Sequence, residues 1–186
     1  PCAEYLQSVT GTPFVYLPPY GYSQTTEFLK SVAAVINKPV KDAMLQRLEE
    51  KNRRLKMLLN SPLMSRTPGT VFLKGDYDIV KGLGEFFKEL RFNVAHSVCT
   101  HKITGAAAEG IEYFKKEKEY LQLLKDIHHC LVLADEDTIA KADATNFKIC
   151  VSHPCFSHRT IANHLPFMGE WGADMLFEYI QQYVNM

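Results

Sequence analysis

The sequence predicts an α/β fold: a Rossmann-like or flavodoxin-like, mostly parallel sheet flanked by helices, with an N-terminal helical extension. Short, continuously apolar runs recur along the chain, as strands covered on both faces require. Longer stretches with apolar residues at helical spacing separate them. Such alternation favours right-handed crossovers and a doubly wound sheet.

The first run, Phe14-Val15-Tyr16-Leu17, reads as a strand. Helices are expected over residues 25–36 and 40–59. In the second of these Met44, Leu48, Leu55 and Leu59 recur on one side, leaving Arg47, Lys51, Arg54 and Lys56 for solvent. Residues 61–69 read as a surface loop ending in the turn Arg66-Thr67-Pro68-Gly69. That break separates segment 1–69, which packs a strand and two helices on the main unit, from a Rossmann-like domain over 70–186. Within the domain, Val71-Phe72-Leu73, residues 94–98, Leu131-Val132-Leu133 and Ile149-Cys150-Val151 read as strands. Helices are expected over 77–91, 110–125, near Asp137 and over 173–184.

Composition narrows the function classes. The chain of 186 residues is 46% hydrophobic and 23% charged, which suits one globular domain with an appendage. Its 21 basic side chains balance 21 acidic ones, so total charge points to neither nucleic acid nor an anionic membrane as partner. No apolar run approaches the roughly 20 residues that span a bilayer. Five cysteines, at 2, 99, 130, 150 and 155, show no C-x-x-C spacing. Cys130 and Cys150 sit within apolar runs as reduced core residues, the pattern of a cytoplasmic protein. The chain starts at Pro1 with no signal segment after it, and reads as a piece of a larger protein.

In open parallel sheets, ligands bind beyond the carboxyl ends of the strands. Strand 71–73 exits into Lys74-Gly75-Asp76-Tyr77-Asp78, where glycine permits a tight turn and Asp76 or Asp78 can cap the next helix. Capping alone accounts for these acids. The loop is no phosphate cradle, lacking both G-x-G-x-x-G and the P-loop lysine pattern. Strand 94–98 exits into Cys99-Thr100-His101, and strand 149–151 into His153-Pro154-Cys155-Phe156-Ser157-His158. Thiols and imidazoles on one sheet edge suit zinc, iron or a metallocofactor, although the spacing matches no closed structural zinc site. The plainer account makes Cys155 a small core residue and His158 a packing or capping group. His128-His129 belongs to the opposite edge, and His164 to a loop. No G-x-S-x-G elbow is present, and Cys99 with His101 is a poor thiolate pair because residues two apart on a strand share a face without their heads meeting.

Residues 71–83, Val-Phe-Leu-Lys-Gly-Asp-Tyr-Asp-Ile-Val-Lys-Gly-Leu, continue into Phe86-Phe87-Lys88-Glu89-Leu90. This resembles the strand, G-D-x-D, x-x-x-G-L, x-x-F-x-x-E-L signature of nitrogenase component 1-type oxidoreductases, which include nitrogenase subunits and light-independent protochlorophyllide reductases. Upstream, Gly11-Thr12-Pro13-Phe14, Leu17-Pro18-Pro19-Tyr20-Gly21 and Thr25-Thr26-Glu27-Phe28-Leu29 resemble the family's G-I-P, P-x-G and T-x-x-F-L stretch. Arg53-Arg54-Leu55 sits where relatives carry R-x-R-L. Leu165-Pro166-Phe167 and Gly172-Ala173-Asp174 resemble its closing segment.

The likeness runs over nearly the whole chain but only over the C-terminal part of such a subunit. It implies stacked Rossmann-like domains with a redox site in the cleft between them. It further implies an oligomer with a homologous component 1 subunit and electrons from an ATP-dependent iron–sulfur reductase. An iron–sulfur cluster or other metallocofactor is implied for the full assembly, with its shared cysteines mainly in the N-terminal portion, and none is expected within this piece. By the same analogy Gly75, Asp76, Cys99, His101 and His153 line the cleft as cofactor-binding residues. Where many relatives show two acids and a histidine, this chain has Met57, Ser61 and Leu63. No position matches the histidine that ligates the nitrogenase cofactor, and Cys2 is out of register with its cysteine ligand, so dinitrogen reduction is not assigned. The expected role is one wall of a metallocofactor or substrate cleft. The alternative is a non-catalytic scaffold for a metallocofactor or tetrapyrrole.

Overall fold

The computed structural model describes residues 2–60, 69–152 and 167–185. Among them run α1 (Cys2–Thr10), α2 (Gly21–Val35), α3 (Asp42–Leu59), β1 (Thr70–Gly75), α4 (Tyr77–Glu89), β2 (Asn93–Cys99), α5 (Glu117–Asp126), β3 (Leu131–Asp135), α6 (Glu136–Lys141), β4 (Phe147–Ser152) and α7 (Gly169–Val184). The four strands are all parallel, in the order β2-β1-β3-β4. No described helix is long and apolar enough to cross a membrane.

Side-chain alternation along the central strands divides the core in two. Val71, Leu73, Leu131 and Leu133 point to one face, where they meet Phe86, Phe87, Leu176 and Ile180 of α4 and α7. Phe72, Val132 and Ala134 point to the other, against Tyr120 and Leu124 of α5. Helices on both faces explain why these strands read as continuously apolar. The first face is the larger, because Tyr22 of α2 and Leu48 and Leu55 of α3 join its cluster. Lys51 of α3 holds Asp174 of α7 at 2.7 Å and Glu170 at 2.9 Å, and Tyr22 donates to Asp174 at 2.7 Å. Burial alone would raise the Glu170 carboxyl, but Lys51 and Arg47 outweigh it and hold the group below its usual range.

Two expectations fail and one element is new. Phe14-Val15-Tyr16-Leu17 forms no strand: residues 11–19 run without regular structure, and Tyr16 is exposed. Pro13, Pro18 and Pro19 remove the donors a ladder needs, so the segment is a strap that first pairs at Tyr20, bridged to Met168. The helix expected over 110–125 begins only at Glu117. Gly110 takes a left-handed φ of 77°, and Glu112 pairs instead with the edge of β2: Cys99 N–H donates to its carbonyl at 2.8 Å, and its own N–H donates to Ser97 O at 2.7 Å. Finally, α1 was not expected at all. The turn read at 66–69 lies outside the described residues except for Gly69.

Candidate functional site

Parallel pairing fixes the site. Gly75 ends β1 directly beside Cys99 at the end of β2, and Thr100 N–H donates to Gly75 O at 3.0 Å. A side chain at Gly75 would press Ser152 Cβ at 3.2 Å, a tight contact that a few tenths of an ångström of movement at Ser152 would have to relieve. Two exits therefore reach one rim. Thr100 Oγ1 donates to Asp76 Oδ1 at 2.7 Å, and His101 Nε2 stands 3.8 Å from the same oxygen.

Four of the five predicted cleft residues, Gly75, Asp76, Cys99 and His101, thus gather at one place. His153 lies outside the described residues, as do Cys155, His158 and His164. The four differ in access: Cys99 is only 3% exposed, whereas the His101 side chain is 78% exposed. A cavity of about 500 Å³ opens beside them, lined among others by Cys99, His101, Lys102, Ile103, Ile111 and Tyr113. Its outer wall is the segment that replaced the expected helix. His96 Nδ1 lies 3.0 Å from Glu112 Oε1, pinning that wall to β2. Glu109 accepts from Tyr77 at 2.9 Å and pairs with Lys81 at 3.1 Å, pinning it to α4. These two donors hold the Glu109 carboxyl below its ordinary range.

The capping expectation for the first loop is corrected. Asp76 occupies the N-cap position of α4, yet its carboxylate makes no cap bond and takes the Thr100 hydroxyl instead. Asp78 accepts from Tyr16 Oη at 2.5 Å, which ties the strap to the start of α4. Partial burial and this carboxylate push the Tyr16 phenol well above its ordinary value.

Sequence reasoning missed a polar cluster just beneath the rim. Lys74 Nζ donates to Asp135 Oδ2 at 2.6 Å and Thr138 Oγ1 at 2.7 Å, and stands 4.4 Å from the centre of the Tyr120 ring. Asp135 caps α6 by accepting from Thr138 N–H at 2.9 Å. The signal was an acid closing a buried strand with threonine three residues on, a capping pattern. The cluster joins β1 to β3, where the strand order reverses and doubly wound sheets place their ligands.

The rim offers a polar lip over an apolar cavity, suited to holding part of a ligand. No group of three or more His, Cys, Asp or Glu among the described residues is placed to hold a metal ion. The described residues therefore form no ligand set for a metal cluster.

A family model described as nitrogenase component 1 type oxidoreductase matches residues 1–184. A solved structure described as "Nitrogenase Cp1 at pH 6.5" superposes with a TM-score of 0.74 at 21% identity, over 98% of this chain and 42% of that one. No curated protein gives a significant match.

Proposed function

The chain belongs to the nitrogenase component 1 type oxidoreductases, and from that premise we propose that it contributes one wall of a metallocofactor or substrate cleft between domains of a larger subunit. It spans 42% of the solved chain it resembles, consistent with a role as one domain among several. The observation that carries the reading is the shared rim: Gly75, Asp76, Thr100 and His101 from two parallel strand ends, beside a cavity of about 500 Å³. A cavity of this size lies in the range that holds a small ligand or a cofactor edge.

In this reading Asp76, Thr100 and His101 supply polar contacts to the ligand, and the loop 100–113 supplies apolar ones. The cluster ligands come from other parts of the assembly. Electrons reach it from an ATP-dependent iron–sulfur reductase, with a homologous component 1 subunit as companion, in the cytoplasm. The test is anaerobic purification of the subunit carrying these residues, as wild type and as His101→Ala and Ile103→Glu variants. Altered cofactor content or an altered electron paramagnetic resonance spectrum in both variants supports the wall. Spectra and metal content identical to wild type in both would remove it.

A further inference from the structure

We propose that a second cavity, between α4 and β2, is a binding site for a small zwitterion of the free α-amino acid class. It goes beyond the cleft reading, because of the residues lining the rim cavity it shares only Ile111.

The cavity has a volume of about 180 Å³. Ser97 of β2 lies on its lining and is only 8% exposed, yet its hydroxyl makes no hydrogen bond among the described residues. Among those residues the one sealed, unpartnered side-chain polar atom is Gln24 Oε1, so the Ser97 oxygen reaches open space. Buried hydroxyls are nearly always paired, and one left open to a cavity marks the place of a ligand atom or a water. Gly84 of α4 keeps the floor clear: a Cβ there would stand 3.9 Å from Ser97 Oγ. Val80 and Ile111, 1% and 7% exposed, supply apolar sides.

Charge at the mouth selects the class of ligand. Lys81 and Glu109 already satisfy each other at 3.1 Å. Glu85 and Lys88, both on the lining and exposed, make no ion pair among the described residues. The uncommitted groups are therefore one anion, one cation and one hydroxyl. A simple anion drawn to Lys88 is repelled by Glu85, and a simple cation meets the reverse. A molecule with its ammonium and carboxylate on one carbon answers both, and a short side chain then reaches Ser97 between Val80 and Ile111. Size agrees. At about 30 Å³ per water the cavity takes roughly six waters, close to the number of non-hydrogen atoms in free L-alanine or L-serine.

The test is calorimetric titration of the full-length subunit carrying these residues with free L-serine, free L-alanine, serine methyl ester and acetate. Free serine is expected to bind with a dissociation constant of about 1 mM or tighter. The ester and acetate each lack one charge and should bind about tenfold more weakly or worse. Ser97→Ala should weaken free serine about three- to tenfold and leave free alanine unchanged, a difference that a merely structural role would not produce. Gly84→Ala, which fills the floor without removing a charge, should weaken both. Circular dichroism checks that the two variants fold. Acetate or the ester binding as tightly as serine overturns the proposal, since one charge then suffices. No binding by any of the four compounds also overturns it, and leaves the cavity to water. Equal losses of serine and alanine in Ser97→Ala do the same, because the hydroxyl then touches no ligand.

Discussion

Lys74 Nζ lies 2.6 Å from Asp135 Oδ2, joining the carboxyl ends of β1 and β3 by a charge pair beneath the rim. Asp135 is 2% exposed and the Lys74 side chain 13%, so the pair is sheltered from solvent. Removing one partner leaves the other charged and desolvated. Lys74→Met is expected to lower stability by about 3–5 kcal/mol in urea titration. Adding Asp135→Leu should recover all but roughly 1 kcal/mol, the loss of the α6 cap. A single-variant loss under about 1 kcal/mol would mean the pair is solvated after all.

The same pair sets an acid limb. Burial alone would raise the Asp135 carboxyl, but Lys74 and the Thr138 amide and hydroxyl outweigh it and hold the group below its ordinary value. A depressed carboxylate contributes stability in full above its unfolded value of about 3.9 and loses it as pH falls through the folded value. Chemical denaturation from pH 6 down to pH 2 should show a steeper decline for wild type than for Asp135→Asn.

Two helical glycines should answer alanine with opposite signs. A Cβ on Gly172 would lie 2.1 Å from the Phe167 carbonyl carbon, a backbone atom that cannot rotate away. Gly172→Ala should cost about 3 kcal/mol through overpacking. At Gly84 the nearest atom is Leu73 Cδ1 at 3.6 Å, ordinary contact. Gly84→Ala should therefore gain about 0.5–1 kcal/mol from reduced backbone entropy of the unfolded chain. Thermal melts resolve both, at roughly 2–4 °C per kcal/mol for a chain of this size.

The thiols of Cys99, Cys130 and Cys150 are all buried and form no disulfide. Burial also pushes the Cys130 thiol up, reducing its thiolate. Alkylation by iodoacetamide, mapped by mass spectrometry, should modify these three about a hundredfold more slowly in the native protein than in urea. Native labelling of Cys99 at the unfolded rate would show that the cavity wall opens readily.

The parts of the fold that were legible in the sequence are those where one physical rule acts alone. Val71-Phe72-Leu73 and Leu131-Val132-Leu133 are apolar on both sides because helices cover both faces, and no competing preference intervenes. The rim followed from the same logic: parallel strands send their exits to one edge, so Gly75 meets Cys99. Where local preference and tertiary context compete, the sequence misled. Phe14-Val15-Tyr16-Leu17 is strand-like in composition, but flanking prolines and the Tyr16 bond to Asp78 decide its course. Lys74 and Asp135 stand 61 positions apart, and their pairing emerges only from the register of β1 against β3. Asp76 and Asp135 both precede helices, yet only Asp135 caps, because the Thr100 hydroxyl claims Asp76.

The all-parallel order bears on how the chain is made. Among the described residues no strand pairs with one joined to it by a tight turn, and β1, inside the sheet, must wait for β3 before its second edge is covered. At translation rates of about 5–20 residues per second, the 60 residues from Gly75 to Asp135 leave that edge open for roughly 3–12 s after β1 is synthesised. The nascent polypeptide thus presents Val71, Phe72 and Leu73 to its surroundings for seconds, long enough for a ribosome-bound chaperone to meet them first.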